Sequence, residues 1–140
     1  MLWLFFMAGC ARPGPVSMSP IGNADPSVIA DIAVSRSVDF GWQVVASLIL
    51  KNPDPAQRRR MDLSRAALRA DGGPWELCRH ADGTEKDKLA VVLAPGEEKL
   101  RTIRCVEIVE PRRTLELRVP ATLADSGSGV VILEYERVDR

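Results

Sequence analysis

The sequence predicts an all-β protein, an antiparallel sandwich of about seven or eight strands behind a disordered N-terminal tether. Three observations predict it. From Ile29 onward, short segments rich in Val, Ile and Leu are separated by Gly, Pro and Asp turns. Several of these segments alternate apolar with charged side chains, the period-two pattern of a half-buried strand. Apolar residues make up 46% of the 140 residues and charged ones 27%, ordinary proportions that leave enough apolar surface for one core.

The first candidate strand covers residues 31–39, around Ile32-Ala33-Val34, and Gly41 breaks it. Residues 42–51 (WQVVASLILK) form the second, which Asn52-Pro53-Asp54-Pro55 ends. Residues 55–70 admit two readings. Asp54 as a cap, Pro55 in the first turn, Gly72 beyond the end and a content of Ala, Arg, Gln and Leu favour a helix. Yet Met61 and Leu63 would lie on nearly opposite sides of it, so it would have little to bury. A strand over 61–69, ending at Asp71-Gly72-Gly73, fits the surrounding pattern and is preferred.

Residues 75–80 run into Asp82-Gly83, a tight-turn signal. Residues 88–93 place Leu89, Val91 and Leu93 on one face, and Pro95-Gly96 turns the chain into residues 100–109. Residues 114–119 alternate Leu115, Leu117 and Val119 against Glu116 and Arg118. After the loop Ser126-Gly127-Ser128-Gly129, residues 130–138 aim Val131, Leu133 and Tyr135 inward and Glu134 and Glu136 outward.

Nineteen basic and nineteen acidic side chains cancel, so there is no electrostatic case for a nucleic-acid partner. A single histidine, His80, leaves little material for acid–base chemistry. The sequence carries no Gly-x-Ser-x-Gly, phosphate-binding loop or dinucleotide fingerprint, and no catalytic residue and no cofactor are expected. Glu97-Glu98 at a turn, Glu134 and Glu136 on a strand, and the spots Arg58-Arg59-Arg60 and Arg112-Arg113 in loops read as solvated charge.

The N-terminus reads differently. Leu2 to Met7 is an uncharged apolar run, too short to cross a bilayer and close to the length of a signal-peptide core. Met7-Ala8-Gly9-Cys10 follows it and resembles the bacterial lipobox, with Met7 where leucine is usual. No Lys or Arg precedes the run, which is consistent with a start upstream of Met1. The resemblance implies that residues 1–9 are a lipoprotein signal peptide and that Cys10 is the lipidated first residue of the mature chain. Ala11 in place of Asp after the cysteine implies, by the enterobacterial rule, the outer membrane. Residues 11–27 then hold four prolines, two glycines and three serines. Such a segment buries too little to fold alone, so residues 10–28 read as a lipidated tether on the order of 50 Å long and residues 29–140 as the domain.

Within the domain, Val45 to Lys51, Asn52-Pro53, the apolar positions from Met61 to Leu68 and Gly72-Gly73 resemble the opening of late-embryogenesis-abundant type 2 domains, which are immunoglobulin-like sandwiches. Leu93-Ala94-Pro95-Gly96-Glu97 resembles a turn common in bacterial immunoglobulin-like domains. Asp54 stands where the family carries Asn, and Arg58-Arg59-Arg60 is no part of its pattern. The resemblance implies a partner-binding or spacer domain and carries over no catalytic residue.

Three cysteines are an odd number for an exported protein. If Cys10 takes the lipid, Cys78 and Cys105 remain, either as a disulfide, which the chain-entropy picture values at roughly 3–4 kcal/mol, or as two separate buried thiols. Together with His80 they also make a candidate for zinc. The expectation is a non-enzymatic lipoprotein of the bacterial envelope, anchored in the outer membrane, facing the periplasm, and serving as a protein-binding accessory or structural subunit. The alternative is a periplasmic domain that binds a small ligand or metal through the Cys78, His80 and Cys105 region.

Overall fold

A computed structural model describes residues 16–22, 27–39, 41–123 and 129–138. Among them are ten strands: β1 (Met18–Gly22), β2 (Val28–Ser37), β3 (Gly41–Lys51), β4 (Arg59–Asp62), β5 (Ala67–Ala70), β6 (Glu76–Leu77), β7 (Ala90–Leu93), β8 (Glu98–Ile108), β9 (Thr114–Leu123) and β10 (Val130–Arg137). They form two antiparallel sheets. One runs β2-β3-β8; the other runs β1-β10-β9-β4-β7, with β5 added beside β9 and β6 beside β5. The all-β sandwich is as the sequence predicts, with more and shorter strands.

Alternation places the core. Leu115, Leu117 and Val119 of β9 and Val131, Leu133 and Tyr135 of β10 turn into the space between the sheets. They meet Val28, Val34, Val44, Leu48, Leu50 and Ile103 from the opposite sheet. The Tyr135 hydroxyl crosses that space and donates to the Ala30 carbonyl at 2.6 Å. Burial, with a smaller push from the Asp31 carboxylate, raises its pKa to about 12, so the phenol keeps its proton and the bond throughout the neutral range.

The tether is shorter than residues 10–28. Val16 bridges to Val34 and is buried, and β1 pairs with β10 from Met18↔Arg137 to Gly22↔Glu134. The register slips between Pro20 and Gly22. An edge strand tolerates that proline and glycine because its outer groups need no ladder partner. The domain therefore begins by Val16, ahead of residue 29.

The segment over 61–69 is a strand in two pieces. β4 pairs with β9 through Met61↔Ala121, and β5 resumes through Ala67↔Arg118, so residues 62–66 lie opposite only Val119 and Pro120. A 3-10 turn, Leu63–Arg65, takes up the excess and buries Leu63. Pro120 supplies the reason. The Ala121 N–H donates to Gly129 on the β10 side, so the ring nitrogen of Pro120 faces the β4–β5 side. A strand cannot pair with a missing donor, and the break falls where the donor is missing.

Two other expected strands are also shorter. The first two residues of the 88–93 region belong to a 3-10 turn, Lys86–Leu89, ahead of β7. Only Glu76–Leu77 of residues 75–80 is strand, because the chain then leaves for the opposite sheet. There the Ala81 N–H donates to Arg104 O, and the Val106 N–H to Arg79 O.

After β5 the chain turns at Asp71, whose φ is +54°. Its carboxylate accepts the N–H groups of Arg112 (3.0 Å), Arg113 (2.6 Å) and Thr114 (3.0 Å) and so fixes the entry to β9. Desolvation is the largest single effect and opposes ionisation, but the three N–H groups and the Arg112 charge together outweigh it and lower the pKa. A lowered value stabilises the fold above the unfolded-chain pKa, and the gain is lost as pH falls through the folded one. Asp71→Ala is expected to cost about 1 kcal/mol at neutral pH. In urea titrations repeated down the acid range, the gap from wild type should close below about pH 4. A gap independent of pH would contradict this account.

Candidate functional site

Four places carry the chemistry that the fold assembles: the end of the sandwich where Asn52 sits, the corner closed by the cysteines, a groove beside that corner, and the outer face of the larger sheet.

Asn52 follows β3, where the chain crosses between sheets. Its side chain is buried, which for an amide demands partners. Nδ2 donates to Gln57 O (2.7 Å), Leu93 O (3.1 Å) and Ala94 O (3.2 Å), and Oδ1 accepts from the Asp54 N–H (3.1 Å). Its backbone N–H reaches Glu97 O, and its carbonyl takes the Gly96 N–H. Ala94 to Glu97 is a type II turn: Pro95 comes first, Gly96 has φ +76°, and the Glu97 N–H donates to Ala94 O. One side chain thus ties the β3–β4 crossover to the β7–β8 crossover. Glu97 accepts the Ala94 N–H at the same turn, so this carboxylate is structural. Asp54 accepts from the Ala56 and Gln57 N–H groups, as a helix cap would, but β4 follows instead of a helix.

At the other corner Cys78 and Cys105 are joined, with Sγ atoms 2.09 Å and Cα atoms 5.1 Å apart. The bridge links the strand-to-strand connection after β6 to β8 and thereby pins one sheet to the other. A bulge sets Cys105. Val44 pairs with Cys105 and Trp42 with Ile108, so Val106 and Glu107 face the single residue Gln43. Glu107 adopts φ +57°, and Cys105 and Val106 both turn inward. The Glu107 carboxylate pairs with Arg79. His80 is half-buried. Its Nδ1 lies 3.5 Å from the Cys78 sulfur. The sulfurs that would serve zinc are bonded to each other, and among the described residues no group of three or more His, Cys, Asp or Glu is placed to hold a metal ion. Beside the bridge a groove of about 360 Å³ opens between β6 and the end of β8, lined by Leu77, Val106 and Val109 among others.

The outer face of the larger sheet carries the charges that alternation sends outward. Arg69 makes a two-point contact with Glu116, Nε–Oε1 at 3.1 Å and Nη2–Oε2 at 2.9 Å. The guanidinium carbons of Arg69 and Arg118 each lie 4.6 Å from the centre of the Trp75 ring. Arg59 and Arg60 belong to β4, not to a loop, while Arg112 and Arg113 remain in the loop that Asp71 braces. The outward direction of Glu116 and Arg118 is legible in the sequence. Their company with Trp75 is not, because it depends on β5 pairing with both β6 and β9.

Cys10 lies outside the described residues. Among those described, no helix is long and apolar enough to cross a membrane. No protein family, no curated protein and no solved structure matches the chain. What it does must therefore be argued from its own residues.

Proposed function

We propose that the chain is a non-enzymatic lipoprotein of the bacterial envelope, held by a lipid on Cys10 and presenting its β-sandwich as a protein-binding accessory or structural subunit. The cysteine arithmetic is the observation that carries the reading. With Cys78 bonded to Cys105, the odd thiol of three is Cys10, directly behind Met7-Ala8-Gly9. A disulfide across the core belongs to an oxidising compartment, and the periplasm is one. Asn52, from the stretch that resembles late-embryogenesis-abundant type 2 domains, and the Pro95-Gly96 turn, which resembles that of bacterial immunoglobulin-like domains, meet through hydrogen bonds at one end of the sandwich, which supports reading both as parts of one immunoglobulin-like domain. Such domains bind or space and have no catalytic residues.

The earlier start of the domain changes the geometry of the anchor. Five residues lie between Cys10 and Val16, and the six residue steps span at most about 20 Å. The sandwich would ride close to the bilayer, on the periplasmic side of the outer membrane. Substituting Cys10→Ser should move the protein from the membrane to the soluble fraction. Mass spectrometry of the wild-type N-terminal peptide should find a diacylglyceryl cysteine. An unchanged distribution, or an unmodified thiol still joined to its leader, would overturn the proposal.

A further inference from the structure

Outside the Arg69–Glu116 pair, the outer face of the larger sheet sorts its charges to opposite ends. Registers across β10 and β9 place Glu136 beside Thr114, Glu134 beside Glu116, Ile132 beside Arg118 and Val130 beside Pro120. On the far side of β9, Arg60 stands beside Thr122. At one end Arg60, Arg65 and Arg118 line a depression of about 410 Å³ together with Leu77, Pro120 and Val130. Its one carboxylate, Asp62, already accepts the N–H and the hydroxyl of Ser64. At the other end Glu134 and Glu136 are exposed. Among the described residues none of these three arginines or two glutamates is in an ion pair. Apolar side chains open to solvent lie beside the arginines and on toward the glutamates: Leu77 is 69%, Val130 58% and Ile132 37% exposed. The step from Val130 to Glu136 along an extended strand is about 20 Å.

We infer that this face is the interface of a homodimer, with a second copy of the chain turned about a two-fold axis that lies in the interface and crosses the strands between Arg118 and Glu134. One such rotation lays the arginine end of each copy on the glutamate end of the other. It makes the contact twice and covers Leu77, Val130 and Ile132 between them. The choice of occupant follows from the sorting. An acidic peptide would satisfy the arginines and leave Glu134 and Glu136 facing nothing. An anionic membrane would attract one end of the face and repel the other. A partner must carry both signs in reverse order, and the same face, turned over, carries them. The chain as a whole is neutral, so long-range repulsion between copies does not oppose the approach.

The test needs two differently tagged full-length copies expressed together, with capture through one tag and detection of the other. Wild-type copies should be captured together, less so at about 0.5 M salt, where the charges are screened within a few Å. Arg60→Glu with Arg65→Glu in both copies should lower capture about tenfold, and so should Glu134→Arg with Glu136→Arg in both copies. One copy of each kind should restore it, because both contacts are then complementary again. Arg36→Glu with Arg101→Glu, the same charge change on the opposite sheet, should leave capture unchanged. All the substituted positions are on the surface, and melting temperatures close to wild type check that each variant folds.

No capture of wild type by wild type overturns the inference, as does capture indifferent to either reversal, or loss in both without rescue in the mixed pair. Cys10→Ser chain, which lacks the lipid, that sediments with phosphatidylglycerol vesicles but does not capture its own copy assigns the arginines to lipid and overturns it too. Repeating the capture with Cys10→Ser chains from the soluble fraction separates this result from the fate of the anchor.

Discussion

Asn52→Ala is expected to lower the free energy of unfolding by about 2–4 kcal/mol, the cost of stranding several polar groups in or near a core. The side chain is buried and serves four partners: three carbonyls as donor and the Asp54 N–H as acceptor. Removing it leaves Leu93 O without this donor in a buried place, while Gln57 O and Ala94 O are closer to solvent and recover part of the loss from water. For a domain of this size the melting temperature should fall by roughly 10 °C. Asn52→Asp makes a sharper test, since it keeps the shape. An ionised carboxylate has no proton to donate and would sit against three carbonyl oxygens. The variant should therefore be worse than alanine at neutral pH. Its folded state binds the proton more tightly than its unfolded state, so its deficit should shrink as pH falls. Urea unfolding of the three proteins at two pH values measures both effects. An alanine variant within about 0.5 kcal/mol of wild type would mean that water replaces the amide and that the crossovers are held elsewhere.

The residues that were legible from sequence are those whose role is set by their own strand. Leu115, Leu117 and Val119, Leu89, Val91 and Leu93, and Val131, Leu133 and Tyr135 all face the core as their alternation says. Those that were not legible depend on a distant partner. β1 has the composition of a linker because an edge strand needs few apolar side chains, and here Val16 and Met18 suffice to seat it. The break between β4 and β5 answers Pro120, more than fifty positions away in the chain and adjacent only after pairing. The exit after β6 answers Cys105 in the same way. The charges of the outer face illustrate the boundary between the two cases. That Arg118 and Glu134 point outward could be read directly. That Arg60, Arg65 and Arg118 gather at one end while Glu134 and Glu136 stand at the other is a product of register.

Losing the Cys78–Cys105 bridge should have an effect of similar size but a different shape. The cysteines are 27 positions apart, and releasing a loop of that length returns entropy to the unfolded chain worth roughly 3–4 kcal/mol. Cys78→Ser with Cys105→Ser is the cleaner variant, because single replacements leave a thiol free to mispair. Its consequences in the folded state should be local. The bridge holds the run from Cys78 to Ala81 against β8, where the Ala81 and Val106 N–H groups complete the contact. Those two amides should lose hydrogen-exchange protection in the double variant, while the amides shared by β9 and β10, paired at seven positions from Val130↔Pro120 to Glu136↔Thr114, keep theirs relative to global unfolding. Uniform loss of protection would mean that the bridge stabilises only through the unfolded chain. Selective loss at Ala81 and Val106 would mean that it also supports the bulge, and with it the left-handed Glu107 that turns Cys105 and Val106 inward together. The two contributions separate because the entropic one moves the denaturation midpoint and leaves local opening unchanged, whereas the structural one appears in exchange under fully native conditions.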